Sequence, residues 1–309
     1  MRIVISEFMD ADALARLAAV HDTHHASDLV DRPDDLAAML ADADALIVRN
    51  RTQVRGALLA AGRRLRVVGR LGVGLDNIDL PACAARGIEV IPATGANALA
   101  VAEYVIATAM MLLRGAYASS AEVAEGRWPR VALSSGREIA GKTLGLVGFG
   151  DIGRTTARLA RGLGMRIVGH DAMLAPGDPA WRDAHAEPLS LDALLARADV
   201  VSLHLPLTAT TRGMVDASRL AAMRPGAILV NTSRGGIVDE AALAAALRSG
   251  SLGGAALDVF AREPLPAGSP LAGAPRLLLT PHIAGLTAES NARVSMLIAE
   301  RVLAALARR

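Results

Sequence analysis

The chain is poor in three residue types that carry much protein chemistry. It has one cysteine, Cys83, one lysine, Lys142, and an aromatic content of only 2%. A lone cysteine excludes an internal disulfide and fits a reducing compartment, and Cys83 reads as a small apolar side chain. With so few aromatics, the cores must be built from Ala, Leu, Val and Ile, which suits helices packed on a parallel sheet. No run of five basic residues occurs and the net charge is +2, so composition gives no reason to expect nucleic-acid binding. Long apolar runs are also missing. The stretch Leu99–Leu113 is too short to span a bilayer and contains Glu103, so it reads as a buried helix. Met1–Asp10 has no basic region followed by an apolar run, so no secretory signal is read there, no membrane partner is expected, and the expected location is cytoplasmic. No metal site, internal repeat or low-complexity tract is read.

What is present is 309 residues, 52% of them apolar, enough for two domains with separate cores. Short apolar runs alternate with helical patterns, the mark of an α/β chain with parallel sheets. In the first hundred residues, strands are expected at Arg2–Ser6, Ala45–Val48, Arg66–Arg70 and Ile88–Ile91, with helices near Ala11–Val20 and Val54–Gly62. A long helix is expected over Leu99–Ala124, then a loop over Gly126–Ser135. A second series supplies six strands: Leu144–Val147, Arg166–Gly169, Val200–Leu203, Ile228–Asn231, Ala255–Val259 and Leu277–Thr280. A final helix is expected over Thr287–Ala307.

The sharpest signal is the strand Leu144–Val147 running into Gly148-Phe149-Gly150-Asp151-Ile152-Gly153 and a helix. Gly148 permits the tight turn, Gly150 lets the backbone approach a pyrophosphate, and Gly153 lets helix and strand pack closely. The N–H groups and dipole at the helix start would then hold the phosphates. An acidic residue, Asp171, ends the next strand, where a carboxylate bonds ribose hydroxyls and repels a 2′-phosphate; this favours NAD over NADP. Gly72 and Gly74 form a second pair without a third glycine, so they do not make a second dinucleotide site.

Three later segments each place polar residues after an apolar strand: Asn231-Thr232-Ser233-Arg234-Gly235, Asp258-Val259-Phe260-Ala261-Arg262-Glu263-Pro264 and Thr280-Pro281-His282-Ile283-Ala284-Gly285. In an open parallel sheet these strand ends face the ligand crevice. Oxidising an alcohol requires a base, and a histidine titrates in the right range, so His282 is the candidate. Glu263 would orient and stabilise its charged form, and Arg234 would grip a substrate carboxylate with its planar fork. Asp258 is expected to meet the nicotinamide carboxamide.

These motifs, with His204-Leu205-Pro206-Leu207-Thr208, resemble the D-isomer-specific 2-hydroxyacid dehydrogenases along nearly the whole chain. The resemblance implies two Rossmann-like domains, the nucleotide domain (98–286) being inserted into a discontinuous substrate domain (1–97 and 287–309), with a hinge at the crossings. It implies catalysis by Arg234, Glu263 and His282 and a homodimer formed through the nucleotide domain. It extends the cofactor site to Asp151, Ile152, His204, Pro206, Thr211, Thr232 and Gly285. The segment Arg70-Leu71-Gly72-Val73-Gly74-Leu75-Asp76-Asn77-Ile78-Asp79 is similar to the phosphoglycerate dehydrogenase branch, in which N–H groups matching Val73 and Gly74 bind the substrate carboxylate. The segment Ile47-Val48-Arg49-Asn50-Arg51-Thr52 is similar to the same branch, where an arginine matching Arg49 binds a distal phosphate. The opening Ile5-Ser6-Glu7-Phe8-Met9-Asp10, with Val48–Thr52 and Pro92–Ala98, is similar to bacterial (S)-sulfolactate dehydrogenases. The substrate implied is a small 2-hydroxy or 2-oxo acid with a second anionic group, sulfolactate first, met by Arg49, Arg51 and Arg70. 3-Phosphoglycerate, and then glycerate or glyoxylate, are the alternatives. A protein that binds NAD as a corepressor does is the competing class; the interaction tails usual in such proteins are not read here.

Overall fold

The computed structural model describes residues 1–308. The chain folds as two units, Met1–Asn97 with Leu286–Arg309, and Ala98–Gly285.

The first unit holds a five-stranded parallel sheet made of β1 (Arg2–Ile5), β2 (Asp22–His25), β3 (Ala45–Val48), β4 (Val67–Arg70) and β5 (Glu89–Pro92), in the order β2-β1-β3-β4-β5. Alternation along β1 sends Ile3 and Ile5 into one apolar layer and Val4 into the other. The first layer also contains Ile298 and Val302 of the helix Ala288–Ala307. Gly69 on β4 makes this packing possible, since a Cβ there would meet Ile298 Cγ2 at 2.8 Å and Val302 Cγ2 at 2.9 Å. Strand β2 was not expected. Its sequence, Asp-Thr-His-His, lacks both an apolar run and alternation, and it forms because a sheet edge tolerates polar side chains. The expected helix near Val54–Gly62 is shorter, Gly56–Ala61, because Val54 forms a bridge with Ile78.

The second unit carries a seven-stranded parallel sheet of β6 (Thr143–Val147), β7 (Arg166–His170), β8 (Ala186–Pro188), β9 (Val200–Leu203), β10 (Ile228–Asn231), β11 (Gly254–Leu257) and β12 (Leu277–Leu279). The order is β12-β11-β10-β9-β6-β7-β8. It exceeds the six expected by β8, three residues at the edge, too short to give a pattern and ended by a proline. Strand order reverses between β6 and β9, the switch point at which such sheets bind ligands. The long helix expected to reach Ala124 stops at Arg114. Gly115 takes φ +68°, and the chain continues at 68° through a 3-10 turn and the short helix Ser120–Ala124. No single helix among the described residues is long and apolar enough to cross a membrane.

Candidate active site

Strand β6 delivers the chain to Gly148, whose φ is +96° and whose missing Cβ would lie 2.3 Å from the His204 carbonyl oxygen. A Cβ at Gly153 would lie 2.4 Å from the Gly148 carbonyl oxygen, whereas one at Gly150 would meet nothing within 4 Å. The first and third glycines therefore close the turn, and the second leaves its approach open. The helix Asp151–Gly162 starts at Gly150 with no side-chain cap, so its first N–H groups have no capping acceptor, the arrangement that suits an anion. Asp151 pairs with Arg154 at 2.8 Å, and the carbonyl of Ile152 accepts from Thr156 Oγ1 at 2.8 Å.

Asp171, just past β7, accepts from Phe149 N–H through Oδ2 and from Met173 N–H through Oδ1, both at 2.8 Å. Its carboxylate thus steadies the glycine turn and keeps acceptor capacity on each oxygen. His204 follows β9, with Nε2 3.0 Å from Ser202 Oγ, and burial pushes its imidazole down to about 4, so it is neutral near pH 7. Thr211 Oγ1 donates to the Pro206 carbonyl at 2.7 Å and closes the exposed loop between them. Thr232, after β10, has an Oγ1 shielded from solvent that meets no partner among the described residues. An orphaned hydroxyl, an uncapped helix start and a cradle that a Cβ would fill are what a bound dinucleotide satisfies, so these residues fit NAD.

The loops after β10, β11 and β12 carry the other candidates. Buried Asn231 accepts through Oδ1 from Ser233 N–H at 3.0 Å and Ser233 Oγ at 2.7 Å, and its amide donates to the Arg234 carbonyl at 3.0 Å. A Cβ on Gly235 would overlap the Phe260 carbonyl at 1.7 Å, so only glycine lets this loop lie against the next. Glu263 accepts from Phe260 N–H at 3.0 Å and from His282 Nδ1 at 2.8 Å. Burial alone would raise the Glu263 carboxyl, but hydrogen bonds from His282 and the Phe260 N–H, with the charges of His282 and Arg234, hold it below the usual range. Since Nδ1 donates to the carboxylate, Nε2 is the imidazole nitrogen left to exchange a proton with a ligand.

His282 has φ +58°, a left-handed conformation that is strained for this residue and must be enforced by its surroundings. The enforcement comes from Asp258, 1% exposed. Its carbonyl accepts the His282 N–H at 2.8 Å; Oδ1 accepts from Ile283 N–H at 2.8 Å and Thr280 Oγ1 at 2.6 Å; Oδ2 accepts from Ala284 N–H at 2.7 Å. With Thr280 donating to Asp258, the Tyr104 hydroxyl donates to Thr280 at 2.6 Å. Three of the four carboxylate lone pairs of Asp258, the residue expected to meet the nicotinamide carboxamide, hold the loop that aims His282, and the fourth remains. Gly285 ends this loop and this unit. The sequence reading missed Thr280 and Tyr104, although a tyrosine in an otherwise apolar helix was a signal.

In the first unit the loops after β1, β3 and β4 share one sheet edge. Glu7, 5% exposed, accepts the N–H groups of Arg49 (2.9 Å), Thr52 (3.0 Å) and Arg51 (3.2 Å). Asn77 donates to the carbonyls of Arg49 at 3.0 Å and Thr52 at 2.7 Å. Arg49 donates to Asn291 Oδ1 at 2.9 Å, and burial lowers its guanidinium from the usual value. Arg51 was expected beside it but is paired with exposed Asp31, so its charge is already met. Arg70 donates to the Leu71 carbonyl at 3.2 Å and lies over Gly72, which has φ +154° and where a Cβ would displace the Arg70 guanidinium. The N–H groups of Val73 and Gly74 donate to no acceptor among the described residues. Glu7, Asn77 and Asn291 were not singled out from sequence. Among the described residues, no three His, Cys, Asp or Glu side chains group as a metal site.

The D-isomer specific 2-hydroxyacid dehydrogenase NAD binding domain matches residues 106–284. The chain belongs to this family. It is an NAD-dependent 2-hydroxyacid dehydrogenase, an oxidoreductase. An (S)-sulfolactate dehydrogenase from Chromohalobacter salexigens is 52% identical over 305 residues, 98% of each chain. A D-3-phosphoglycerate dehydrogenase from Mycobacterium tuberculosis is 44% identical over 280 residues, 90% of this chain and 52% of its own. The chain thus spans about half the length of that relative. The structure of NAD-dependent formate dehydrogenase from Staphylococcus aureus in complex with NAD superposes with a TM-score of 0.82 at 27% identity, covering 98% of this chain and 95% of that one.

Proposed function

We propose that this dehydrogenase oxidises (S)-3-sulfolactate to 3-sulfopyruvate. The observation that carries the reading is Arg49. Its guanidinium is partly desolvated, forms no salt bridge among the described residues, and stands on the sheet edge that also presents the N–H groups of Val73 and Gly74. A cation so placed suits an anion that keeps its charge, and a sulfonate does. The full-length identity to a sulfolactate dehydrogenase supports the same choice.

The roles follow from the chemistry. NAD, when bound, supplies the hydride acceptor. His282 Nε2 takes the hydroxyl proton as the carbonyl forms, and Glu263 stabilises the resulting imidazolium through Nδ1. Arg234 holds the substrate carboxylate and polarises the reacting oxygen. Within the first unit, the N–H groups of Val73 and Gly74 are donors for an anion. Asp171 takes the adenosine ribose, and the turn at Gly148, Gly150 and Gly153 takes the pyrophosphate. The first unit serves as the substrate domain and the second as the nucleotide domain.

Steady-state assays with NAD on sulfolactate, 3-phosphoglycerate and glycerate test the substrate. Glycerate turnover matching both anionic substrates would remove the second anion from the reading, and a clear preference for phosphoglycerate would replace sulfolactate.

A homodimer is supported by exposed apolar side chains along one segment: Met110, Met111, Tyr117, Trp128 at 76% and Val131 at 89% exposure. Light scattering on the purified protein should give twice the chain mass. The single buried cysteine supports a cytoplasmic setting.

A further inference from the structure

We propose that Phe8 and Asn291 are positioning residues that fix Arg49 for the second anion and so set the preference for substrates that carry one. The inference rests on the distal-anion reading above and adds to it the two side chains that make the arginine selective.

The loop after β3 contains two arginines, and the fold treats them in opposite ways. Arg51 is met directly by the Asp31 carboxylate, an exposed ion pair that turns it away from any other anion. Arg49 has neutral groups as its direct side-chain partners, and the Glu7 carboxylate, bonded to the backbone beneath, acts on its charge only across space. Its Nη2 donates to the Asn291 amide oxygen at 2.9 Å, and its guanidinium carbon stands 5.5 Å from the centre of the Phe8 ring. An amide orients a guanidinium without neutralising it, and an aromatic face favours the cation while offering an anion no rival. The remaining guanidinium N–H groups meet no acceptor among the described residues.

The backbone beneath is pinned as well. The N–H of Arg49 is held by Glu7 and its carbonyl by Asn77, so a long side chain starts from a fixed root. Phe8 comes from the loop after β1, the neighbour of β3 in the sheet, and Asn291 from the first turn of the helix Ala288–Ala307, capped by Thr287. The ring is 49% exposed, and the guanidinium stands over its face. Three elements of one unit thus aim one guanidinium that is in direct contact with no carboxylate.

The test compares reduction of 3-sulfopyruvate with that of hydroxypyruvate, which has the same carbon skeleton with a neutral hydroxyl in place of the sulfonate. The readout is the ratio of kcat/KM for the two, with KM and kcat taken separately. Asn291→Ala should lower the ratio about tenfold, through KM for sulfopyruvate, since a hydrogen bond to a charged group is lost. Asn291→Asp should lower it further by placing a carboxylate in direct contact with the guanidinium. Phe8→Leu should lower it several-fold and Phe8→Trp should retain it, because tryptophan offers the cation a better face. Phe8 lies outside the buried core, so its variants remain informative if those at Asn291 fold poorly. An Arg49→Ala variant with an unchanged ratio would sink the distal-anion reading and this inference with it. A lowered ratio in Arg49→Ala beside unchanged ratios in Asn291→Ala and Phe8→Leu would sink the inference alone.

Discussion

Each unit ends its sheet in loops held by a buried carboxylate, and the two carboxylates carry different cargo. Glu7 grips three backbone N–H groups after β3 and presents a cation, Arg49. Asp258 grips the N–H groups of Ile283 and Ala284 with the Thr280 hydroxyl, and presents an imidazole already paired to Glu263. The first arrangement holds a cation with no carboxylate in direct contact with its guanidinium, which suits recognition. The second stores a hydrogen-bonded acid–base pair at a strained backbone position, which suits proton transfer. Defects in the first should therefore appear in KM and substrate choice, and defects in the second in kcat.

The largest effect should come from the second edge. His282→Ala should lower kcat on the order of a thousandfold while NADH affinity, read by fluorescence titration, changes little. A fall confined to KM would reverse the assignment of the two edges. Asp258→Asn, which replaces one acceptor oxygen by a donor facing the loop, should lower kcat about a hundredfold and stability by about 2 kcal/mol. If kcat holds while stability falls, Asp258 supports the fold but does not aim His282.

His204 lets pH probe the second edge. Its folded pKa, about 4, lies below the ordinary 6.5 of a histidine, because burial disfavours the charged ring. Between those values the unfolded chain binds the proton and the native one does not, so the contribution is full above pH 6.5 and is lost as pH falls toward 4. Urea unfolding should show on the order of 2–3 kcal/mol lost over that window, and His204→Asn should flatten the slope. Equal slopes in both proteins would remove His204 as the cause. At the first edge, Glu7→Gln turns one acceptor into a donor that faces an N–H. It should raise KM for sulfopyruvate about tenfold and leave kcat within about twofold. A kcat loss as large as that of Asp258→Asn would erase the distinction between the edges.

How much of this could be read in advance follows the same division. The strand ends that carry Arg234, Glu263 and His282 were legible because apolar runs stop abruptly at polar residues, and the glycine turn because its spacing has one steric solution. The supports were not. Nothing local says that Asp258 binds donors more than twenty residues away, or that Glu7 reaches the backbone at Arg49, since such pairs exist only after β1 and β3, or β11 and β12, lie side by side. Strand β2 was hidden by polar side chains and β8 by its length. The break at Gly115 was missed because the apolar pattern continues beyond it, while one left-handed glycine changes the helix direction.

The smallest effect, and the finest test, concerns Asp171. Glu7 and Asp258 are almost fully buried and most of their acceptor capacity is taken by the protein, so they hold loops. Asp171 is half-buried and accepts one backbone N–H on each oxygen, which leaves each oxygen a further lone pair. A carboxylate of that kind can steady the glycine turn and still receive two ribose hydroxyls, while its charge repels a 2′-phosphate. Asp171→Ala should therefore raise KM for both coenzymes, since the turn loosens, and in addition lower the preference for NAD over NADP several-fold. Asp171→Asn keeps the Oδ1 contact with Met173 and removes the charge, so it should change the coenzyme ratio more than the absolute affinities. An unchanged ratio in both variants would place Asp171 with Glu7 and Asp258, as a side chain that holds a loop and meets no ligand.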